Sequence, residues 1–478
     1  MNKRAKKTKV IATLGPASST KEIMLELVKA GADVFRINFS HADYELVKRN
    51  VDIIREINQE YGYNISILGD LQGPKLRVGV VKEGSFLNPG DVLTFTNEPC
   101  EGDSTKVFMT YEKFPQDVKV GERILIDDGK LVFEVIETNQ KDTVKAKTIQ
   151  GGPLSSKKGV NLPNTNVSLP ALTEKDIEDA KFMIENEFDW IALSFVRHAQ
   201  DIIDLKKLIE AHSDFKIPII AKIEKPEGVK NIDEILLECD GLMVARGDLG
   251  VEVPMEEVPV IQKKLVDKAR YYSKPVIIAT QMMETMISSL TPTRAEVNDV
   301  ANNVLDGADA VMLSGETSVG KYPVDVVKNI TKIIKNIEST NLYEKKNDII
   351  EKITCVDDRF VTDMVCLNAV KIAETTGAAA IITLTHSGYT AFQISAHRPT
   401  SRIIVYSSNR RVLTMLNLLW GVRAFYYDMN KSTDETVIQV NMLTHHYGYL
   451  EKGDFVVNLN AMPVYEGGKT NTLRLTTI

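Results

Sequence analysis

The sequence predicts an α/β protein: a (β/α)8 TIM barrel with a small β-barrel lid domain inserted after strand 3 and an open α/β domain at the C-terminal end. Three observations predict this fold. Eight short apolar runs end in small or polar residues, a pattern typical of strands buried on both faces of a parallel sheet. Amphipathic helical stretches separate most of these runs. One connection, residues 75–169, alternates with period two and shows no helical period.

The eight apolar runs are the predicted strands of the barrel. Each consists largely of Val, Ile, Leu or Ala. The first helical stretch begins at a Ser-Thr pair and stops at Gly31, as a capped helix does. The predicted strands are 9–13, 33–38, 65–70, 189–194, 217–223, 240–245, 275–280 and 308–314, and the predicted helices are 19–30, 45–61, 199–213, 258–273 and 295–306.

Two further units complete the predicted organisation. The insertion has five alternating stretches separated by Gly, Pro, Asn and Asp, which predicts an antiparallel β domain placed to act as a lid. After the eighth strand, a helix and a polar linker lead to alternating helices and strands that are typical of an open α/β domain. The predicted domains are residues 1–74 with 170–345 (barrel), 75–169 (lid) and 355–478 (C-terminal domain).

Composition excludes several classes of protein. With 43% hydrophobic and 26% charged residues among 478, the chain is neither disordered nor collagen-like. Its 58 Lys and Arg against 65 Asp and Glu give a net charge of −7, which argues against a nucleic-acid partner. No apolar run reaches the ~18 residues of a spanning helix, so no membrane partner is expected. We interpret the basic residues that precede the first strand as a short solvated arm.

The four cysteines predict no zinc site and no disulfide framework. They are Cys100, Cys239, Cys355 and Cys366, and no two of them have C-x-x-C spacing. Cysteine usage of this kind fits a reducing compartment, so we expect a cytoplasmic protein.

Polar or charged residues stand at the ends of nearly all the predicted strands. In a (β/α)8 barrel the active site is built at the carboxyl ends of the strands, so these side chains are predicted to form it. A single polar strand end would mean little, because such ends are common in any protein. The residues are Thr13, Arg36, Asn38, Ser40, His41, Asp70, Ser194, Lys222, Glu224, Arg246, Asp248, Thr280, Ser314 and Glu316.

A magnesium site is predicted at two of these strand ends. Lys222 and Glu224 are two residues apart on one strand, so their side chains leave on the same face. Asp248 ends the neighbouring strand. Two carboxylates suit Mg²⁺, which keeps open positions for substrate and water. The alternative interpretation is a structural Lys–Glu ion pair with Asp248 as a helix N-cap.

Several motifs resemble those of pyruvate kinases, in order and over essentially the whole chain. The resemblance implies transfer of the phosphoryl group of phosphoenolpyruvate to ADP, giving pyruvate and ATP in the final step of glycolysis. The motifs are FRINFSH (35–41), GDLQGPKLR (69–77), SKKGVNLP (156–163), AKIEKPEG (221–228), MVARGDLG (243–250), ATQMMETM (279–286), PTRAEVNDVANNVLDGADAVMLSGET (292–317) and KTNTLRL (469–475).

The resemblance also implies roles for the strand-end residues. Glu224 and Asp248 would hold Mg²⁺, and Lys222 would neutralise the phosphoryl group in flight. Arg36 would contact that group from the other side. Thr280, with Ser314 and water, would deliver a proton to the enolate carbon. The implied contacts to phosphoenolpyruvate come from Arg36, Lys222, Ala245, Gly247, Asp248 and Thr280.

Two further ligand sites follow from the resemblance. ADP would bind on the side of Thr13, Pro16, Asn38, His41, Arg77 and, from the lid, Lys158. Lys158 could instead be ordinary surface charge, but Gly151, Gly152 and Gly159 around it favour a mobile loop that reaches phosphate. A phosphorylated effector would bind the hydroxyl-rich turn of Thr385, His386, Ser387, Gly388 and Thr390, which could instead be a capping turn without a ligand. Segment 460–463 lacks the Trp-Arg of eukaryotic members, so the identity of the effector does not follow.

One departure from the family pattern concerns K⁺. Many pyruvate kinases hold K⁺ at positions that correspond here to Asn38, Ser40, Asp70 and Leu71, with a Glu nearby in a D-T-K-G-P-E segment. Here the segment reads DLQGPK, which puts Lys75 at the Glu position. A tethered ammonium can supply the charge of K⁺, so we predict a bacterial-type enzyme that needs Mg²⁺ and not K⁺. Alternatively, Lys75 merely points to water.

Two other functions remain open at this stage. A Mg²⁺-dependent aldolase or lyase that acts on pyruvate enolate would use the same carboxylates but would not need Lys158 or Arg77. A non-catalytic regulatory protein of this fold would not need the charged strand ends. The resemblance further implies a homotetramer.

Overall fold

The computed structural model describes residues 6–340, 358–428, 432–462 and 468–478. Residues 1–5 of the predicted N-terminal arm, the domain boundaries at 345 and 355 and Pro463 lie outside these residues, and so does the side chain of His41. The prediction of a solvated arm is wrong for Lys6, whose side chain is buried and forms an ion pair with Asp33. None of the described helices is both long and apolar enough to cross a membrane.

In the described chain, eight parallel strands close into a barrel, which confirms the predicted fold class. The strand Lys9–Thr13 pairs with both Val34–Asn38 and Ala310–Leu313, and this double pairing closes the sheet. Nearly every strand residue is buried, because the apolar side chains fill the barrel on one face and contact the helices on the other. The other strands are Ser66–Asp70, Trp190–Leu193, Ile219–Ile223, Gly241–Ala245 and Val276–Ala279.

Helices surround the barrel, and local capping sets their ends. Thr293 and Glu296 form a capping box, and Gly307 ends the same helix at a φ of 103°. The helix Glu174–Glu185 was not predicted, although Thr173 and Asp176 form a capping box at its start. The described helices are Lys21–Ala30, Tyr44–Tyr61, Glu174–Glu185, Ala199–His212, Pro226–Lys230, Ile232–Glu238, Arg246–Glu252, Val258–Tyr271, Arg294–Asp306, Gly315–Ser318 and Pro323–Glu338, with 3-10 turns at Phe39–His41, Met255–Glu257 and Glu284–Ile287.

The inserted lid follows the third barrel strand. Its described strands form a six-stranded, mainly antiparallel sheet and a short two-stranded one. The first of the five alternating stretches, residues 75–81, was predicted as a strand but is not a regular one. It makes isolated bridges, because its paired residues face three separate partners at 102, 109 and 159. The lid elements are Phe86–Leu87, Val92–Thr96, Lys106–Phe108, Arg123–Ile126, Leu131–Thr138, Thr143–Gln150, Gly152–Pro153 and Val160–Asn161, with one helical turn at Phe114–Asp117.

The C-terminal domain is an open sheet with the predicted strands. Ala380–Leu384 lies at its centre, and the final strand Thr472–Thr477 is antiparallel to the rest. The remaining elements are Arg402–Ser407, Val422–Tyr426, Phe455–Asn460 and the helices Phe360–Thr376, Tyr389–Ala396, Arg410–Met415 and Thr433–His446, with a 3-10 turn at Leu416–Leu418.

This domain packs against the amino ends of the barrel strands. The Trp190 indole donates to the Met415 carbonyl at 2.9 Å, and Lys9 Nζ donates to the Val422 carbonyl at 2.9 Å. Arg398 forms a buried ion pair with Asp309 at 2.9 Å. The carboxyl ends of the strands are therefore left to the lid.

The lid has a hydrophobic core of its own, so we expect the barrel to fold without it. Barrel core residues stop at Leu71 and resume at Ala171, whereas the lid core lies between Leu76 and Leu162. Replacing residues 75–169 by a short Gly/Ser linker should leave a cooperative thermal transition by circular dichroism. Deleting residues 190–212, one strand and one helix of the barrel, should abolish the transition. Loss of the transition in both deletions would contradict the prediction.

Candidate active site

A cavity lies at the carboxyl ends of the barrel strands, beneath the lid. Barrel residues at its wall include Arg36, Asp70 and Lys222, and lid residues include Asp128 and Asn161. The structure therefore brings together side chains from separate strands, as the strand-end pattern predicts. The predicted residues that line this cavity are Arg36, Asn38, Ser40, Asp70, Leu71, Lys75, Ser194, Lys222, Glu224 and Asp248.

Asp70 holds two cations side by side. Its carboxylate accepts from Arg36 Nε at 2.7 Å and lies 3.1 Å from Lys222 Nζ. Burial would by itself raise the pKa of the Asp70 carboxyl, but Lys222 and Arg36 outweigh burial and hold that pKa below its usual value. The 1% exposed Asp70 is therefore a fixed negative charge.

Lys222 is fixed on several sides. Its ammonium donates to Ser194 Oγ at 2.5 Å and lies 3.1 Å from Glu224 Oε1. Ser194 is oriented in turn, because its hydroxyl donates to the Leu71 carbonyl at 2.8 Å. Burial would lower the pKa of Lys222, but Asp70 and Glu224 outweigh burial and raise it. Lys222 thus presents a permanent positive charge to the cavity.

Glu224 and Asp248 fit a divalent cation. The pKa of the Glu224 carboxyl is raised to about 7 by burial and, against the lowering effect of Lys222, by Asp248, because two carboxylates repel each other. A metal ion between them would relieve that repulsion. Within the described ranges no group of three or more His, Cys, Asp or Glu side chains forms a metal site. This pair suits Mg²⁺, which takes its other ligands from substrate and water.

The helix Arg246–Glu252 begins earlier than the capping interpretation of Asp248 requires. Ala245 stands at the cap position, and Asp248 lies in the first turn. Asp248 is therefore not the N-cap, whereas the Lys222–Glu224 ion pair of the same interpretation is present at 3.1 Å. The Asp248 side chain is exposed and lines the cavity. Its neighbours Ala245 and Gly247 place the start of this helix beside the same strand ends.

Thr280 and Ser314 do not line the cavity beneath the lid. The N–H of Gly247, the residue before the cavity-lining Asp248, donates to Thr280 Oγ1 at 2.7 Å. The Thr280 hydroxyl donates to the Ala279 carbonyl at 2.6 Å. The Ser314 N–H donates to the Glu316 carboxylate at 2.7 Å, which fixes the last barrel loop.

Two of the residues predicted to contact ADP, Thr13 and Pro16, differ in exposure. The Thr13 hydroxyl donates to the Leu313 carbonyl at 2.7 Å and accepts from Arg36 Nη1 at 3.1 Å. Thr13 is buried, and its hydroxyl orients Arg36, whereas Pro16 is exposed in the following loop.

Arg77 and Lys158 lie together at the base of the lid. Arg77 Nη1 donates to the Lys157 carbonyl at 2.9 Å, and Lys158 Nζ pairs with Asp127 at 2.9 Å. Lys158 and Lys130 lower the pKa of Asp127, so the pair is charged. Neither Arg77 nor Lys158 lines the cavity, but Gly159, the residue after Lys158, does.

Asn38, Ser40 and Lys75 all line the cavity. Asn38 Oδ1 accepts from the Ser40 N–H at 3.1 Å. The Lys75 side chain is exposed, and within the described residues it forms no ion pair. A free ammonium therefore lies at the wall that also carries Asp70.

Two family models match the chain. The model for the pyruvate kinase barrel domain matches residues 5–327, and the model for the pyruvate kinase alpha/beta domain matches residues 363–476. This chain belongs to the pyruvate kinase family.

Similar proteins carry the same name over nearly the whole chain. The chain is 43% identical over 457 residues to pyruvate kinase 2 of Synechocystis, covering 95% of this chain and 76% of that protein. It is 40% identical to the pyruvate kinase of Mycobacterium intracellulare, covering 98% of each. A solved pyruvate kinase from Cryptosporidium parvum matches with a TM-score of 0.92 at 33% identity, covering 99% of this chain and 97% of that one. The predicted function, a pyruvate kinase and hence a phosphotransferase, is confirmed.

A contact between the lid and the barrel was missed in the sequence analysis. Asn161 of the lid donates to Glu252 Oε1 at 2.8 Å, and Lys225 Nζ lies 2.6 Å from the same oxygen. Arg197 Nη2 donates to the Leu169 carbonyl at 2.5 Å, where the lid returns to the barrel. Asn161 belongs to the GVNLP segment that resembles other pyruvate kinases, and that resemblance was a usable signal.

A second cavity lies in the C-terminal domain. It is lined by Thr385, His386, Ser387 and Thr390, as predicted, and the Gly388 N–H donates to Thr385 Oγ1 at 2.9 Å. Arg359 and Lys469 also line it and were not predicted. Both lie far from this turn in the sequence, so no local pattern could indicate them.

The Asp70 network generates a stability prediction. Asp70→Ala leaves Arg36 and Lys222 in a buried site without the carboxylate between them, so the free energy of unfolding should fall by about 3–5 kcal/mol in urea denaturation. Glu26→Ala is the control, because it removes an exposed pair with Lys29 at 3.9 Å and should cost about 0–1 kcal/mol. Equal losses in the two variants would contradict the assignment.

Proposed function

We propose that this pyruvate kinase transfers the phosphoryl group of phosphoenolpyruvate to ADP at the cavity beneath the lid. One observation carries the proposal: Arg36, Asp70, Lys222 and Glu224 form a continuous series of alternating charges at the strand ends. Phosphoryl transfer depends mostly on positioning and charge stabilisation, and this series supplies both. A complete charged set of this kind argues against a non-catalytic protein.

Mg²⁺ is the proposed cofactor, and Glu224 and Asp248 are the residues that would hold it. When bound, the ion supplies positive charge to the enolate oxygen and carboxylate of the product. The protein's own contribution is to keep both carboxylates at one wall, with Lys222 3.1 Å from Glu224.

Arg36 and Lys222 are the proposed cations for the moving phosphoryl group. Asp70 and Thr13 fix the guanidinium of Arg36, while Ser194 and Asp70 fix the ammonium of Lys222. Because both cations are positioned before substrate arrives, they need little reorganisation during transfer. Ala245 and Gly247 complete the proposed contacts beside Asp248.

Thr280 is the proposed proton donor to the enolate carbon, together with Ser314 and water. A hydroxyl can rotate, so the donation from Thr280 to the Ala279 carbonyl can be exchanged for one toward substrate. Hydroxyls and water pass a proton on without a shifted pKa.

The lid is proposed to bring Arg77 and Lys158 to ADP, whose other contacts would come from Thr13, Pro16, Asn38 and His41. The Asn161–Glu252 hydrogen bond at 2.8 Å supports a lid that closes on the barrel. Removing residues 75–169 should therefore abolish ADP turnover and leave Mg²⁺ binding detectable by calorimetry; normal turnover would contradict this role.

We further propose a cytoplasmic homotetramer with a phosphorylated effector at the second cavity. Among the described cysteines, Cys100, Cys239 and Cys366 are free thiols, which fits a reducing compartment. Exposed apolar side chains such as Met255 and Met442 suit contacts between subunits. A monomer in sedimentation analysis would contradict the tetramer, and a coupled assay with sugar phosphates and nucleoside monophosphates would find or exclude the effector.

Lys222→Met tests the central role. The negative charge of the transition state would lose the main protein cation that stabilises it. In a coupled pyruvate assay, kcat should therefore fall well over tenfold. Lys216→Met is the control: Lys216 pairs with Asp240 at 3.3 Å near the other end of the same strand, and its loss should change kcat less than twofold. Should Lys222→Met keep more than about a tenth of kcat, a loss under ~1.4 kcal/mol, the assignment is wrong.

Lys75 is proposed to replace K⁺ beside Asn38, Ser40, Asp70 and the Leu71 carbonyl. Turnover with Mg²⁺ and tetramethylammonium as the monovalent cation should change less than tenfold when K⁺ is added, because the ammonium of Lys75 already provides the charge. A tenfold rise, about 1.4 kcal/mol, would refute this.

The reverse substitution sharpens the K⁺ test. Lys75→Glu should create a K⁺ requirement, since a carboxylate then stands where the ammonium was. Lys82→Glu makes the same charge change elsewhere in the lid, where Lys82 pairs with Asp103 at 3.7 Å, and should not create one. The same K⁺ response in both variants would count against Lys75.

A further inference from the structure

Thr280 has an unusual backbone. Its φ is 66° and that of Gln281 is 52°, so two successive residues without a glycine occupy the left-handed region. For a β-branched residue such as Thr280 this conformation is a genuine outlier. Such a conformation persists only when its surroundings fix it, and it is found most often at functional sites.

Arg246 provides that constraint from the backbone side. Its Nη2 donates to the Thr280 carbonyl at 2.9 Å and to the Gln281 carbonyl at 3.0 Å. Asp299 fixes the guanidinium in return, at 2.7 Å from Nη1 and 2.8 Å from Nη2. The Arg246 side chain is 10% exposed, so water competes little for these bonds.

The next residue contacts the side chain of Thr280. The Gly247 N–H donates to Thr280 Oγ1 at 2.7 Å, and a Cβ at Gly247 would lie 3.2 Å from that oxygen. Arg246 and Gly247 therefore contact both carbonyl and hydroxyl of the turn. The same helix carries Asp248 one residue later.

We propose that Arg246, supported by Asp299, is a positioning residue that fixes Thr280 for proton delivery. The guanidinium of Arg246 forms its hydrogen bonds with Asp299 and with the Thr280 and Gln281 carbonyls, so it acts through the turn and not on the substrate. The inference rests on the proposed role of Thr280 as proton donor. A fork of N–H donors is needed, because a single ammonium cannot bind the Asp299 carboxylate in two places and two carbonyls together.

The first experiment separates proton transfer from phosphoryl transfer. Exchange of the pyruvate methyl protons for deuterium, followed by NMR with Mg²⁺ present, reports the proton step without ADP turnover. Arg246→Lys should slow this exchange at least tenfold, while KM for phosphoenolpyruvate changes less than about threefold. Asp299→Asn should slow the same step by a smaller factor, since one carboxylate oxygen is replaced by an amide. Unchanged exchange in Arg246→Lys would overturn the proposal.

Arg55→Lys is the matched control. Arg55 also pairs with an aspartate, Asp189 at 3.2 Å, and with a carbonyl, that of Glu187 at 2.7 Å, but near the opposite end of the barrel. The substitution Arg55→Lys should leave the exchange rate unchanged. An equal slowing in Arg55→Lys would overturn the proposal, because general destabilisation would then explain the effect.

A double-mutant cycle shows whether Arg246 acts through Thr280. If it does, adding Arg246→Lys to Thr280→Val should slow exchange no further than Thr280→Val alone. If the double variant instead slows exchange by the product of the two single effects, the proposal is overturned while the role of Thr280 stays intact. Unchanged exchange in Thr280→Val itself would overturn both the role of Thr280 and the inference built on it.

Discussion

The carboxylate of Asp70 is the constraint on which the rest of the site depends. Arg36 and Lys222 come from the second and fifth barrel strands, and both reach a largely buried cavity where like charges repel strongly. Asp70, on the third strand, contacts both of them. With this counter-charge in place, two cations can be held ready for a phosphoryl group without unfolding the barrel around them.

The charges continue from Asp70 to the proposed metal site. Glu224 and Asp248 add two further carboxylates beyond Lys222, so the series holds more negative than positive charge. Burial above all, and then repulsion from Asp248, raises the pKa of Glu224 to about 7. A divalent cation at this end would make the net charge of the site positive. A negatively charged phosphate ester requires a positive site.

The short helix Arg246–Glu252 connects three parts of the molecule. Arg246 contacts the strained turn at Thr280, Asp248 lines the cavity, and Glu252 accepts from Asn161 of the lid. One short helix therefore contacts the lid, the cavity and the turn. The C-terminal domain contacts the opposite ends of the strands, so the helix lies away from that interface.

The sequence by itself determined the barrel, the lid insertion, the C-terminal sheet and the family. Strands buried on both faces must be apolar throughout, and polar residues at the strand ends mark the side of the barrel where the site forms. Both features can therefore be recognised in short stretches of sequence. Only the tertiary structure decided which of those polar groups meet. The Thr13 hydroxyl orients Arg36, residues 75–81 bridge to three separate partners, and Arg246 reaches both Thr280 and Asp299. These contacts join residues far apart in the chain, and their geometry exists only once the barrel has closed.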